Sequence, residues 1–364
     1  MPKRHIRMIS AAVAVAIPLG SAVFGAVAVP AAQAQTITVS PSRTAQPVAK
    51  PAVGVNLYVN QNYSLTDVEQ WGARDLKYIH DTLGLKAVAI DWDYNVPSLT
   101  ASVVVASPTR TPTIAAIRAL TNIAKSYGMR VEYRVLFAVN NKDSRDDSIH
   151  PANFAAWLRS LYRTETPALR LAANERVAEF VAGSEMASID TAKDLKGWDS
   201  FFTKAAKLYK GALSYAAWGG HTASQGFFSP SRVELPTTDL GATAYPSVNL
   251  GKDASVARLT TAWENYLTAH TPDSVLRRTA IDEIGIPALA GSYRDPWNWD
   301  NLTGTADPTV QARWFTAVCN AATAEHMRGI YFWSEPINDD PAQPFNSLVG
   351  FLGRPASLAA IASC

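Results

Sequence analysis

The sequence predicts an α/β protein, a single-domain (β/α)8 TIM barrel, on three observations. Eight short apolar segments with the composition of buried strands follow one another along the chain, and helical patterns lie between most of them. Each strand-plus-helix unit takes roughly 40 residues, which suits eight units of such a barrel. A G-x-G-x-x-G turn does not follow the first strand, which weakens the alternative of an open doubly wound sheet.

The first 34 residues follow the pattern of a secretory signal peptide. A basic head precedes an apolar stretch from Ile9 to about Val29, and Ala32-Gln33-Ala34 is similar to a cleavage site. An uncleaved membrane anchor is the alternative, because the stretch is long enough to span a bilayer, but Pro18 and Pro30 disfavour it. We therefore expect a secreted, extracellular protein that has no membrane contact after signal cleavage.

Residues 35–50 are rich in Ser, Thr, Pro and Gln without an apolar period, which predicts a flexible lead-in. Residues 51–364 are expected to form the barrel domain. With 48% hydrophobic and 18% charged residues, this chain can bury a large core, so disorder is expected only at the ends.

The charge balance argues against a nucleic-acid partner. The formal charge of +2 comes from the basic head, since without Lys3, Arg4 and Arg7 the chain has 30 basic against 31 acidic residues. Nucleic-acid-binding domains carry a clear excess of cations, and this chain does not.

The cysteines and histidines give no metal-site pattern. Cys319 and Cys364 either form a disulfide that ties the last residue to a late helix or are two unrelated small apolar residues. Neither C-x-x-C nor H-E-x-x-H spacing occurs, so we predict no metal, nucleotide or organic cofactor. The sequence says nothing of the oligomeric state.

The elements follow in order from Val53. The predicted strands are Val53 to Val59, Leu85 to Trp92, Arg130 to Phe137, Val177 to Glu185, Gly211 to Trp218, Leu240 to Tyr245, Thr279 to Gly285 and Gly329 to Trp333. The predicted helices are Leu65 to Leu83, Pro112 to Tyr127, Asn153 to Tyr162, Leu195 to Tyr209, Val256 to His270 and Pro308 to His326. Pro112 and Pro308 are placed as first-turn prolines.

Two glutamates stand at the ends of predicted strands, Glu185 after the fourth and Glu283 in the seventh. Catalytic groups of a (β/α)8 barrel gather at the carboxyl ends of its strands, so we expect these two carboxylates at one site. The strand period of two places Glu283 on the face of Ile281 and Asp282 on the other. This favours Glu283 over Asp282, provided that the strand stays regular to that point.

Two carboxylates in this position suit the cleavage of a glycosidic bond. The reaction builds positive charge on the anomeric carbon and needs a proton on the leaving oxygen, so one group acts as an acid while the other is an anion. Glu185 comes after the apolar residues 180–183, "FVAG", where desolvation and the partner's charge can keep it protonated. Structural ion pairing is the alternative for a bare pair of strand-end glutamates.

The flanking segments "VAGSEM", "LSYAAW", "DLGATAYP", "DEIGIPALAGSYRDPW" and "GIYFWSEP" resemble the second half of clan A glycoside hydrolases, most closely family 113, the endo-β-1,4-mannanase group. The resemblance covers most of Val53 to Pro336 and is sharp from about Val177. It implies a retaining mechanism with Glu185 as the acid/base and Glu283 as the nucleophile. Many clan A members carry an Asn before the acid/base, and here that position is Ser184, which leaves the contact to the sugar 2-hydroxyl open.

Further residues are predicted to bind substrate. Trp333, Trp218, Trp92 and Trp297 lie at strand ends or in the loop after the seventh strand, where indole faces can stack on pyranose rings. The alternative for Trp297 is the packing of a long loop. The resemblance gives Tyr245 a hydrogen bond to the nucleophile, and Asn56 and Asp91 are candidate partners of sugar hydroxyls.

The sequence thus predicts a secreted retaining glycoside hydrolase that acts on a polysaccharide or oligosaccharide. By resemblance the leading substrate is β-mannan, and another cell-wall glycan is the alternative because loops set specificity on this fold. A non-catalytic carbohydrate-binding or wall-associated barrel is the competing class. A phosphate-dependent barrel enzyme is disfavoured, since "EIGIPALAGS" offers little of a phosphate loop.

Overall fold

The computed structural model of the protein describes residues 51–142, 146–222, 225–228, 237, 239–299, 302–343 and 348–364. The predicted signal peptide, residues 1–34, and the predicted lead-in, residues 35–50, lie outside the described residues. None of the described helices combines the length and apolarity that a membrane crossing needs.

Eight parallel strands close into a barrel in sequence order, each paired with its two neighbours, as the alternation of elements predicted. The strands are β1 Ala52–Val59, β2 Ala87–Val96, β3 Arg130–Val139, β4 Glu179–Ser184, β5 Ala212–Trp218, β6 Leu240–Thr243, β7 Thr279–Ile284 and β8 Gly329–Pro336. All ten residues of β2 are buried, because a strand of a closed parallel sheet is covered on both faces.

Helices cover the outside of the barrel. The described helices are α1 Leu65–Asp81, α2 Ile114–Ser126, α3 Phe154–Asn174, α4 Leu195–Leu208, α5 Val256–Thr268, α6 Asp273–Leu276, α7 Pro308–Ala324 and α8 Pro355–Ala362, with a short 3-10 turn at Asp146–Ser148. The six predicted helices are confirmed. Helices α6 and α8 were not predicted, since α6 is a single turn and α8 is apolar on most of its surface.

The helix ends correct two details of the sequence interpretation. Helix α3 continues past Tyr162 to Asn174 although Pro167 lies inside it. Pro112 precedes the N-cap Thr113, so it does not lie in the first turn of α2. Pro308 does open α7, behind the N-cap Asp307, whose carboxylate accepts the Thr309 N–H.

The hydrophobic core lies between the strands and the helices. Four tryptophans of the helices, Trp157, Trp198, Trp263 and Trp314, are fully buried there. The sulfurs of Cys319 and Cys364 are bonded, which confirms the predicted disulfide and ties α7 to the residue at the end of the chain.

The barrel interior near the amino ends of the strands is charged. Arg328 Nη2 and Arg130 Nη2 each donate to Glu179 at 2.8 Å, and Glu132 lies 3.6 Å from Arg130. Burial and the Glu179 charge raise the pKa of Glu132 to about 7. Arg134, two residues further along β3, does not pair with Glu132 and extends instead toward Glu283.

Candidate active site

Glu283 reaches the site through an irregularity of β7. The register of β7 shifts against β6 between Ala242 and Thr243 and against β8 between Ile281 and Ile284. Ile281 packs in the core with the helices, whereas the Asp282 carboxylate faces the barrel interior beside Gly241, where a Cβ would collide with it. The expectation that a regular strand carries Glu283 on the Ile281 face is therefore wrong. The choice of Glu283 over Asp282 stands on its contacts instead.

Two donors hold the Glu283 carboxylate. The Tyr245 hydroxyl donates to Oε1 at 2.5 Å, and the Arg134 guanidinium donates to Oε2. Burial raises the pKa of Tyr245 well above its ordinary value, and the charges of Glu283 and Glu185 raise it further. The phenol therefore stays protonated and acts as a donor at neutral pH.

Arg134 is the centre of the polar network below Glu283. Its Nη1 donates to the Asp282 carbonyl at 3.1 Å and lies 3.4 Å from Asp91 Oδ2, and its Nη2 lies 3.3 Å from Ser184 Oγ. The side chain is fully buried, which by itself lowers the pKa of Arg134, but Glu283 and Asp91 raise it above its ordinary value. A single permanent cation thus connects β3 with β2, β4 and β7.

Glu185 directly follows β4 and is half-buried. Its φ of 58° lies in the left-handed region, which a non-glycine residue adopts at a cost of about 1 kcal/mol. The Glu185 N–H donates to the Ala216 carbonyl at 2.8 Å, and the Met186 N–H donates to the Tyr215 hydroxyl at 2.8 Å. Strand β5 therefore fixes the turn that carries Glu185. The Glu185 charge also raises the pKa of Tyr245, the phenol that donates to Glu283.

Asn56 and Asp91 have a role different from the predicted one. Both side chains are fully buried, so they present no surface to a sugar. Asn56 Nδ2 donates to the Asp282 carbonyl at 3.1 Å, which supports the backbone next to Glu283. Burial raises the pKa of Asp91 well above its ordinary value, although Arg134 opposes the rise. Both residues support the site from inside the barrel, behind Glu283.

Ser184 occupies the position at which many clan A members carry an Asn. Its hydroxyl is fully buried and accepts from Arg134 Nη2 at 3.3 Å. It therefore orients Arg134 and is not available to a sugar hydroxyl.

Trp333 is half-buried beside this network. Its ring lies 5.2 Å from the Tyr58 ring, measured between centroids, and 5.5 Å from Arg134 Cζ. Tyr58 is held in turn by Asp93, which accepts the phenol proton at 2.7 Å and the Arg110 Nη2 proton at 2.6 Å. The indole is thus fixed from below and keeps part of its surface exposed, as a stacking platform requires.

A second aromatic group joins the loops after β5 and β7. The His221 ring lies 4.7 Å from the Trp218 ring and 3.9 Å from the Trp297 ring, and all three are partly exposed. Burial lowers the pKa of His221, so the imidazole is neutral at pH 7. Trp299 packs edge-on against Tyr245 at 5.7 Å.

Trp92 does not belong to the site, which corrects the prediction that it binds substrate. The strand continues past Trp92 to Val96, so this residue lies in the middle of β2. Its side chain is fully buried in the core and meets the Tyr133 ring edge-on at 5.5 Å. Asp91 and Trp92 alternate along the strand, and only Asp91 faces the barrel interior.

Sequence reasoning missed Arg134 and His221. Arg134 carried a signal, because a charged residue inside a buried strand must find partners within the barrel. His221 carried none, since it lies in a loop without regular pattern. In the described part of the chain, no group of three or more His, Cys, Asp or Glu side chains is arranged to hold a metal ion.

Comparison with known proteins gives one family match. The model of Glycoside Hydrolase Family 113, a clan A family, matches residues 67–344. No curated protein sequence matches significantly.

Among solved structures, a GH113 β-1,4-mannanase aligns with a TM-score of 0.68 at 16% identity, over 86% of this chain and 99% of its own. The GH113 β-mannanase of Alicyclobacillus acidocaldarius aligns with a TM-score of 0.67 at 16% identity, over 86% and 96%. The endo-1,4-β-mannanase of Rhizomucor miehei aligns with a TM-score of 0.53 at 11% identity, over 89% and 96%. At these identities the likeness concerns the fold.

Proposed function

This chain belongs to glycoside hydrolase family 113, and we propose that it cleaves the β-glycosidic bonds of a mannan-type polysaccharide with retention of anomeric configuration. The observation that carries the proposal is the setting of Glu283, a carboxylate held by one phenol and one guanidinium. Such a carboxylate is fixed in orientation, as a nucleophile must be.

In the first step of the proposed reaction, a Glu283 oxygen attacks the anomeric carbon while Glu185 transfers its proton to the leaving glycosidic oxygen. The carbon–oxygen bond to the leaving sugar breaks as the bond to Glu283 forms, which gives a glycosyl-enzyme ester. Arg134 and Tyr245 hold the carboxylate so that the attacking oxygen does not rotate away from the carbon.

In the second step, the Glu185 carboxylate takes a proton from water, and the resulting hydroxide attacks the anomeric carbon. Glu283 leaves as a carboxylate and regains both hydrogen bonds. Two displacements at one carbon restore the original configuration. The half-buried position of Glu185 suits this role, because water must reach it between the two steps.

A mannan-type substrate is supported by two facts. The family members noted above are β-mannanases by name, and the site carries partly exposed indoles at Trp333, Trp218 and Trp297 that suit stacking on pyranose rings.

Export is also proposed, on the basis of the signal pattern in residues 1–34 and of the disulfide, which is the form that cysteines take in oxidising compartments.

The test is the release of reducing sugar from mannans, glucans, xylans and galactans by the full chain, beside Glu283→Gln and Glu185→Gln. We expect release from mannan by the wild type and a loss of at least about 100-fold in either variant, since each role supplies a large part of the barrier reduction. Glu69→Gln, an exposed change on α1, is the matched control.

Retention is checked by proton NMR of the first product formed. The β-anomer should come first and mutarotate later. An α-anomer first would contradict the double displacement. Release of sugar that persists in Glu283→Gln would remove this residue from the nucleophile role, and release from another polysaccharide only would replace mannan as the substrate.

A further inference from the structure

A groove lies on the outer surface of the barrel between α3 and α4, with a volume of about 380 Å³. Arg159, Tyr162 and Arg163 line it from α3, and Phe201 and Lys204 line it from α4. The α3 residues lie in the first half of that helix, and the α4 residues lie about the middle of theirs.

The charges in this groove have one sign. Arg159, Arg163 and Lys204 are exposed, and none of them forms a hydrogen bond or ion pair with a residue that the structure describes. None of the residues that line the groove is acidic. Exposed Lys207 follows Lys204 one turn later on α4.

Some exposed cations on other described helices meet acids, as Lys77 does with Asp81 on α1 and as Lys125 and Arg118 do with Glu175. Three cations left without an anionic partner around one concave surface favour an anionic ligand.

The floor of the groove is aromatic. The rings of Tyr162 and Phe201 meet edge to face with centroids 6.3 Å apart, and Tyr162 is half-buried. The exposed part of the Tyr162 ring provides an apolar contact for a sugar ring, and the cations of the rim provide ion pairs for its charged substituents. Arg159 and Arg163 are four residues apart on one helix, so their Cβ atoms lie about 5–6 Å apart. A polymer with repeated charges can therefore engage more than one cation.

We propose that the groove between α3 and α4 is a binding site for an anionic glycan chain, one that bears carboxylate or phosphate groups. It lies outside the cleft of Glu185 and Glu283 and does not depend on which bond the enzyme cleaves. Its role is to hold the enzyme on charged polymer while the cleft remains open.

Two other anionic partners fit less well. A membrane surface would favour exposed apolar side chains around the cations, but the exposed large apolar residues among those described are Leu65, Val103 and Val105, and none lines the groove. A nucleic acid would favour several open rings for base stacking, whereas Phe201 is buried and Tyr162 is the one partly exposed ring among the lining residues.

The test measures affinity of the full chain for polygalacturonate as the carboxylate probe, for poly(glycerol phosphate) as the phosphate probe and for neutral galactomannan. The variant is Arg159→Gln/Arg163→Gln/Lys204→Gln. We expect it to lose about tenfold or more of the affinity for at least one anionic probe at low salt, because each exposed ion pair contributes a few-fold. The probe that loses more identifies the anionic group.

The matched control is Lys77→Gln/Arg258→Gln/Arg277→Gln, which removes the same charge from exposed positions outside the groove. It should bind the anionic probes like the wild type. Arg163→Gln and Lys204→Gln, each alone, should give smaller losses with unchanged melting temperatures, which keeps the test informative if the triple variant folds poorly.

Equal losses in the groove and control variants would overturn the proposal, because the binding would then follow net charge alone. Wild-type affinity in the groove variant would overturn it as well. So would groove-dependent binding to vesicles of anionic phospholipid without groove-dependent binding to either polymer. Activity on a neutral polysaccharide should be the same in both triple variants, so that failure here is distinct from failure of the proposed hydrolysis.

Discussion

Replacing Arg134 by methionine removes the only permanent cation that contacts Glu283 within the described residues. The side chain is fully buried and reaches Glu283, Asp91, Ser184 and the Asp282 carbonyl. Methionine fills a similar space without any donor. The change therefore tests the role of the cation while the core stays filled.

The structure sets the magnitude of this effect. Removing one partner of a buried ion pair costs about 3–5 kcal/mol of folding free energy, because the remaining carboxylates have no opposite charge beside them. Loss of a hydrogen bond to a charged group costs about 1.5–3 kcal/mol. If the activation free energy of the reaction rises by that amount, kcat falls by about 10-fold to 150-fold. Arg134→Lys keeps the charge but not the planar fork, so it should fall between methionine and the wild type.

The destabilisation should depend on pH. Burial already raises the pKa of Asp91 well above its ordinary value, and Arg134 opposes that rise. A carboxyl with a raised pKa in the folded state contributes stability at low pH that is lost as the pH rises through that pKa. Without Arg134 this loss becomes larger, so Arg134→Met should be least destabilising in acid and most destabilising at neutral pH and above.

The assay combines urea unfolding at several pH values with kinetics. The double variant Arg134→Met/Asp91→Asn should be more stable than Arg134→Met alone by about 1 kcal/mol at neutral pH, since contacting residues couple by about 0.5–3 kcal/mol. An Arg134→Met enzyme with wild-type kcat would refute the positioning role. A double variant no more stable than the single one would refute the charge argument.

Three further outcomes are expected. Tyr245→Phe removes the donor to Glu283 Oε1 and should lower kcat by about tenfold or more with little change in KM, and an unchanged kcat would show that Arg134 alone suffices. The folded pKa of Glu132 is about 7, so the free energy of unfolding of the wild type should fall by about 3 kcal/mol as the pH rises from near 4.5 to above 7. Glu132→Gln should remove this fall, and parallel urea-unfolding profiles of the two proteins would contradict the expectation. Cys319→Ala/Cys364→Ala opens a loop with a sequence separation of 45 and should cost about 4 kcal/mol in urea unfolding, whereas a cost near zero would indicate strong residual structure in the unfolded chain.

The strands were predictable because a closed parallel sheet buries both faces of each strand, so each strand is a run of mostly apolar residues. The ends of these runs were less certain. Strand β2 runs on to Val96, since Asp93 and Asn95 pair with β3 through Leu136 and Ala138. Because polar residues within the strand were taken for its end, Trp92 was misplaced at the rim.

The position of Glu283 was predicted for a reason that the structure does not support. Regular alternation was expected, and the register shifts that β6 and β8 impose on β7 cannot be seen in the sequence of β7 alone. Arg134 could be placed on an inward face, but its partner lies 149 residues away. Contacts of that separation are set by closure of the barrel.

The irregularity of β7 also explains why Asp282 and Glu283 face different surroundings although they are adjacent. The Asp282 carboxylate lies inside the barrel with Glu132 and Glu179, where burial and these like charges raise its pKa well above the ordinary value. Its carbonyl accepts hydrogen bonds from Asn56 and Arg134, so the backbone at this point is fixed by the same cation that holds Glu283. Arg134 thus positions the carboxylate directly and also through the peptide that carries it. A lysine at position 134, with a single ammonium group, could not occupy all of these sites at once.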